Sequence, residues 1–336
     1  MFIKPHNKTA LVWNDLQVSY SELIQKVDSF SKLFPNKNGD KVAIFSENKP
    51  EWVYAFYAAW KNDRIAVPID FMSTAEEVAY ILNDCQPDVV FCSEKTQATL
   101  QEALKSVNHE IHVNVFEKIQ PPEITGDKVD FPDADLQKTA VIIYTSGTTG
   151  SPKGVMLSYD NLLANIEAVS DDVKIYTPDE KVMALLPFHH IFPLLGTMVA
   201  PLYVGATIVF SPSMVSEDIM ATLQDNGVTI IVGVPRLYSL IRKGIMDKIN
   251  KNRLAKTLFA IAGKVNSQGF SRRLFKQVHQ KFGGHLKYMV SGGAKLDEEI
   301  GKDFKTLGFE VLEGFGMTEA APMITFTRPG RVKVGS

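Results

Sequence analysis

Two cysteines, Cys85 and Cys92, are all that the 336 residues contain. That is too few for a disulfide framework and suits a reducing cytoplasm. An excess of charge of one sign is also missing: net charge is −2, which gives no global electrostatic case for nucleic acid. The opening MFIKPHNKTA lacks the apolar core of a secretory signal. No internal repeat and no low-complexity tract is present. Between Lys181 and Glu217 there is no Asp, Glu, Lys or Arg. A spanning helix wants about 20 mostly apolar residues, but Pro187, Pro193, Pro201, Gly196 and Gly205 interrupt this run, and His189 and His190 sit inside it. It reads as a buried strand–helix–strand.

What is present is ordinary for a globular chain: 45% hydrophobic and 22% charged residues. The length exceeds one compact domain, so two or more lobes are expected. Short apolar runs alternate with helix-length segments. KVAIFS (41–46), IAVPID (65–70), DVVFCS (88–93), IHVNVF (111–116) and AVIIY (140–144) read as strands. Pro50 suits the first turn of a helix to about Asn62. Ser73 with Glu76 forms a capping-box pattern opening a helix to about Asp84, and another helix runs to about Val107. The stretch 120–138, rich in Pro and Asp, reads as a surface connection. Further on, VMALLP, ATIVF, TIIVGVP, LKYMVSGG and EVLEGFG read as strands with helices between. This alternation predicts an α/β fold of mostly parallel sheets flanked by helices.

The segment YTSGTTGSPKG, 144–154, follows the apolar AVII directly. Glycines let backbone N–H groups turn inward around an anion. The hydroxyls of Thr145, Ser146, Thr148, Thr149 and Ser151 can rotate toward phosphate oxygens, and Lys153 adds a point charge. The competing reading is a hairpin loop with solvated hydroxyls. A nucleotide-triphosphatase P-loop would need Gly directly before the Lys, where Pro152 stands. A dinucleotide fingerprint nearly appears at GFGMTE, but Glu319 occupies the place of the third glycine.

The whole string resembles the phosphate-binding loop of the adenylate-forming superfamily, which includes acyl-CoA synthetases, firefly-type luciferases and peptide-synthetase adenylation domains. Three further segments fit in the family's order. LLPFHHIFP (185–193) resembles its acyl-pocket motif, SGGAKL (291–296) its adenine-side loop, and EGFGMTE (313–319) its nucleotide and metal motif. The resemblance runs from about residue 41 to the end and is closest to the long-chain fatty acyl-CoA synthetases. It implies the family's large N-terminal domain: about 40–180 as one α/β sub-lobe with the phosphate loop, and 1–39 plus 181–336 as a second. The family's Tyr-x-Thr-Gly-Asp motif and the C-terminal lid with its Lys are absent, so the chain alone is expected not to complete acyl-CoA synthesis.

The resemblance also implies chemistry. A carboxylate attacks the α-phosphate of ATP, pyrophosphate leaves, and coenzyme A then displaces AMP. Thr145, Ser146, Gly147, Thr148, Thr149, Gly150 and Lys153 would wrap the β- and γ-phosphates. Gly292, Gly293 and Ala294 would let the nucleotide approach the backbone, beside Glu313, Gly314, Phe315 and Gly316. Phe315 stands where relatives carry Tyr; it keeps the stacking face and loses the phenol. Thr318 would donate to the α-phosphate and Glu319 would hold Mg2+. Read alone, that pair could be a plain helix start. His190 would close the acyl site, Phe192, Gly233 and Val234 would line its tunnel, and His189 reads as a core residue. No acid sits in PFHHIFP to hold a substrate ammonium, so amino acids are disfavoured; a fatty acid is expected, with aryl acids second. Three readings stay open: a fatty acid:CoA ligase portion, a non-catalytic nucleotide- or acid-binding module, and another adenylating enzyme.

Charge is uneven along the chain. Residues 242–287 carry twelve Lys or Arg and one acid, Asp247, a balance of +11. Leu237, Leu240, Ile241, Ile245 and Ile249 are expected to share one helix face, and Leu274, Phe275, Val278 and Phe282 another. The segment is read either as a solvated basic face over ordinary core or as a face that meets anionic membrane.

Overall fold

Two mixed sheets flanked by helices form the architecture of the computed structural model, which describes residues 2–3, 6–35, 39–120, 135–145 and 151–332. The strands are β1 Thr9–Trp13, β2 Leu16–Ser19, β3 Lys41–Phe45, β4 Ile65–Ile69, β5 Val89–Cys92, β6 His112–Val115, β7 Thr139–Thr145, β8 Lys153–Ser158, β9 Lys181–Ala184, β10 Thr207–Phe210, β11 Ile230–Gly233, β12 Tyr288–Ser291, β13 Glu310–Gly316 and β14 Met323–Phe326. One sheet has the order β6-β5-β3-β4-β7-β8, the other β14-β13-β12-β11-β9-β10-β1-β2. Pairing is parallel throughout the centre of each. The antiparallel partners are at edges: β8 on β7, β2 on β1 and β14 on β13. Strands such as β5 and β11 are buried along their whole length, as expected where helices cover both faces.

The core between the sheets is aromatic. Helix 50–61 has Pro50 in its first turn and buries every residue from Trp52 to Trp60. Trp52 stacks on Phe56 at 5.4 Å and meets Phe188 of the other sheet's loop edge-on at 5.1 Å. Trp60 donates from Nε1 to the Ala140 carbonyl at 2.8 Å. An all-apolar helix of this kind can only be stable when surrounded. The charge-free run resolves into β9, a helical stretch over 191–204 and β10, so the strand–helix–strand expectation holds. Among the described residues no helix is long and apolar enough to cross a membrane.

Two expectations need correction. The capping box sits one residue later than Ser73/Glu76. Thr74 accepts from Glu77 N, and the Glu77 carboxylate accepts from Thr74 N at 2.8 Å. Ser73 is spent instead on a turn, donating its N–H to the Asp70 carbonyl. Leu240 also leaves the face assigned to it. Leu237 and Ile249 are buried and Ile241 and Ile245 half-buried, whereas Leu240 is 62% exposed. At about 100° per residue it falls one step outside the stripe that the others share.

Candidate active site

The site residues gather at the C-terminal ends of the parallel strands, where an open α/β sheet presents its loops. β12 ends at Ser291 and β13 at Gly316, and the parallel register pairs Ser291 with Glu313. A cavity of about 920 Å3 opens there, lined by Gly293, Ala294, Glu313, Gly314, Phe315 and Gly316 among others. Phe315 is 67% exposed within it, leaving an aromatic face open for stacking. Backbone shape explains the glycines. Gly293 has φ +79°, and a Cβ on Gly316 would stand 1.9 Å from the Pro322 carbonyl oxygen. The Ser291 hydroxyl is buried at the cavity wall without a hydrogen-bond partner, an unusual state for a buried polar group.

The adenine-side loop and the acyl motif meet directly. A Cβ on Gly292 would lie 2.8–3.1 Å from the Phe192 ring, so only glycine lets that ring sit close. Val234, which precedes the helix beginning at Pro235, lies beside Gly293. Gly233 is closed in by Leu237 and Tyr238. These side chains make an apolar wall next to the cavity.

Thr318 and Glu319 occupy a short 3-10 turn, Thr318–Ala320, beyond β13. Asn165 anchors it. This residue lies on helix 159–167, which follows β8, and it accepts from Met323 N at 2.8 Å while donating to the Ala320 carbonyl at 3.4 Å. One buried amide thus fixes the turn to the element that leaves the β7–β8 hairpin. Glu319 is exposed, and its carboxylate has no hydrogen bond or ion pair among the described residues. A single unpaired carboxylate suits magnesium, which favours oxygen and completes its octahedron with water and phosphate. No cluster of three metal-ligating side chains occurs among the described residues.

The glycine-rich segment bridges β7 and β8. Thr145 pairs with Lys153 across the hairpin, so Lys153 starts a strand and projects beside the loop's other end. Gly154 admits Ile142, which a Cβ would meet at 2.7 Å. Tyr80 donates to the Pro152 carbonyl at 3.1 Å and Tyr144 to Asp84 at 2.5 Å, holding both ends of the loop. Ser146, Gly147, Thr148, Thr149 and Gly150 lie outside the described residues.

His190 and His189 belong to a different corner. Asn48, at the end of β3, accepts from Phe188 N at 3.0 Å and donates to the Leu186 carbonyl at 2.8 Å, which clamps the loop from the other sheet. The two imidazoles lie with centroids 4.1 Å apart at a 54° tilt and Nε2–Nε2 3.1 Å, and His189 Nε2 lies 3.6 Å from Asp70. Burial, and secondarily the neighbouring ring of His190, push His189 down to about 4, against the opposing pull of Asp70. Loss of hydration lowers His190 as well, again opposed by Asp70. Both rings are therefore neutral near pH 7, each with one N–H, and the Nε2–Nε2 contact between them holds a single proton.

The cavity takes in Gly293, Ala294 and the 313–316 strand end. Gly292, Phe192, Val234 and Gly233 adjoin it without lining it, and His190, Thr318, Glu319 and Lys153 are off its wall. Several lining residues carry no motif. Arg328 and Arg331 contribute to the wall, with Thr325 and Phe326. They arrive because β14 folds back on β13, with Phe315 opposite Thr325, a pairing that leaves little trace in sequence. Asp70 was missed too; it follows β4 in one sheet, 119 residues before His189, which follows β9 in the other, so the two meet only across the sheets.

A two-sheet α/β domain with a nucleotide-sized cavity at its strand ends, a glycine- and hydroxyl-rich hairpin and an unpaired carboxylate describes the large domain of an adenylate-forming protein. The AMP-binding enzyme model matches residues 3–336, and the chain belongs to that family. It is 30% identical over 321 residues to the Arabidopsis thaliana long chain acyl-CoA synthetase 6, peroxisomal, covering 85% of this chain and 45% of the relative. It is 28% identical over 310 residues to the Homo sapiens malonate–CoA ligase ACSF3, mitochondrial, covering 87% and 49%. The chain thus spans about half the length of these curated relatives. The crystal structure of the anthranilate CoA ligase AuaEII in complex with anthranoyl-AMP superposes with a TM-score of 0.79 at 22% identity, covering 98% of this chain and 60% of that one.

Proposed function

We propose that this chain is the ATP- and acyl-binding part of an acid:CoA ligase that works through an acyl-adenylate, with a fatty acid as the acid. The observation that carries the reading is the meeting of the SGGAKL and EGFGMTE segments on one cavity of about 920 Å3, with Phe192 against Gly292 beside it. That volume is within the range of about 300–1,000 Å3 usual for small-molecule sites.

In the first half-reaction a carboxylate oxygen forms a bond to the α-phosphorus of ATP, and the bond from that phosphorus to the pyrophosphate oxygen breaks. In the second, the sulfur of coenzyme A attacks the acyl carbonyl and AMP departs. Such chemistry depends on positioning and charge neutralisation. Phe315 offers its open face to the adenine. Gly293 and Gly316 keep the backbone clear for the nucleotide. Lys153, with the hydroxyls of 145–151, would bind the β- and γ-phosphates, and Thr318 would donate to the α-phosphate. Glu319 would hold Mg2+, which when bound neutralises charge developing on the phosphates. Neutral His190 closes the carboxylate end of the acyl wall.

The acid-free PFHHIFP segment and the wall of Phe192 and Val234 favour an apolar substrate, since a buried unpaired ammonium would be costly. Relatives include a long-chain synthetase and a malonate ligase, so the class of acid is the point to test. ATP–pyrophosphate exchange, run on the complete translation product with fatty, aryl, dicarboxylic and amino acids, should proceed best with fatty acids. Exchange driven only by malonate or an amino acid would overturn the substrate; none with any acid would overturn the activity.

A further inference from the structure

Helix 253–265 has two apolar faces where a surface helix normally has one. Ala255, Phe259 and Ala262 pack into the core of the larger sheet, with Phe259 edge-on to Phe275 at 6.2 Å. The second face is a stripe at i, i+4, i+7 and i+11: Leu254, Leu258, Ile261 and Val265. Three of these are 66%, 43% and 49% exposed (Leu254, Ile261, Val265), and Leu258 is half-buried. Exposed Leu240 and Phe270 belong to two of the helices that contact this one, 235–250 and 268–274. Nothing in the adenylation site uses this surface.

Charge borders the stripe on one side. By helical geometry Arg253 and Lys264 flank it on the side away from the core. Of the twelve cations in 242–287, only Arg242 and Lys287 form ion pairs among the described residues. Arg272 donates to the Leu286 carbonyl and so has a structural duty. Nine other Lys and Arg side chains have no anionic partner there.

We propose that this face, centred on Leu254, Ile261 and Val265 and flanked by Arg253 and Lys264, docks on an anionic lipid bilayer. A second copy of the chain is a poor occupant, because a two-fold interface would set these unpaired cations against their own copies. A bilayer supplies both complements at once: headgroup charge for the cations and the acyl boundary for the leucine and isoleucine stripe. The inference is independent of the adenylation chemistry.

The test is co-sedimentation of the protein with sucrose-loaded vesicles of phosphatidylcholine, alone or mixed with phosphatidylserine. Binding should require phosphatidylserine and fall steeply as salt rises from about 0.1 M to about 0.5 M, where the screening length drops to about half. Leu254→Gln with Ile261→Gln should weaken it about tenfold. Arg253→Gln with Lys264→Gln should weaken it by about fivefold per cation removed. All four positions are on the surface, and an unchanged thermal melt shows that the fold survives. Equal binding to neutral vesicles, no binding to anionic ones, or parental binding by both variants would overturn the proposal. So would self-association in vesicle-free solution that the Leu254→Gln, Ile261→Gln pair abolishes.

Discussion

Glu319 concentrates the proposed phosphate chemistry in one carboxylate. It is exposed on a three-residue turn and has no partner among the described residues, so its removal has little to unfold there. Glu319→Gln should leave the melting temperature within about 1 °C, since surface substitutions usually cost no more than about 0.5 kcal/mol. Loss of a charge-neutralising contact in phosphoryl transfer costs on the order of 3 kcal/mol. Exchange activity of the complete product should therefore drop at least a hundredfold, with a shifted magnesium dependence. His189 makes a different prediction. Its folded-state pKa of about 4 lies below the ordinary 6.5. Between those values the unfolded chain binds more protons than the folded one, so stability is full above pH 6.5 and lost as pH falls toward 4. The loss amounts to about 3 kcal/mol at most. His189→Gln should flatten the denaturant-midpoint profile in that window; an unchanged slope would mean that other groups govern it.

At the scale of elements, the hairpin β13–β14 is what brings Arg328 and Arg331 to the wall that Phe315 occupies. Gly316 permits its close approach. The contact that a Cβ would make is with backbone, the Pro322 carbonyl, which cannot rotate away. Gly316→Ala should therefore cost about 1–3 kcal/mol and weaken nucleotide binding, seen as a lower melting temperature and a loss of ATP protection. The same hairpin marks where sequence reading stops. Buried parallel strands such as VVFC and IIVG were legible because continuous apolar runs are rare elsewhere. β8, β14, β1 and β2 escaped notice. β8, β14 and β2 are edge strands and partly solvated, with Met156, Ile324 and Leu16 exposed, so neither a solid run nor strict alternation shows; β1 lies inside its sheet, but its buried run is only Ala10–Val12. The motifs behind the site reading are local runs of glycine and hydroxyl residues; SGGAKL and EGFGMTE meet on one cavity, whereas 146–150 lie outside the described residues. The anchors Asn48 and Asn165 were not legible, because a polar side chain gives no sign in sequence of the distant backbone that it will serve.

On the scale of the whole molecule, the two sheets are tied by an aromatic core and by those two asparagines. Asn48 holds the histidine loop of one sheet to the end of β3 in the other. Asn165 holds the Thr318–Ala320 turn to the helix after β8. The cavity, the apolar wall and the β7–β8 hairpin are carried on different strands, so the proposed function needs the whole domain folded. The basic face over 242–287 is carried by the larger sheet's helices and leaves that site alone.

The central claim is that one continuous site accepts both adenine and an apolar acyl group. The most direct measurement is calorimetric titration of the protein with non-hydrolysable acyl-adenylate mimics, acyl-sulfamoyl adenosines with fatty, aryl and aminoacyl groups. A mimic that spans both halves should bind at least a hundredfold tighter than AMP alone, because the second moiety is held at the effective concentration set by the first. The fatty-acyl compound should be the tightest, and Phe315→Ala should weaken all of them by about 1–3 kcal/mol through lost stacking. Affinity for the fatty-acyl mimic no greater than for AMP, or binding indifferent to Phe315, would contradict the account.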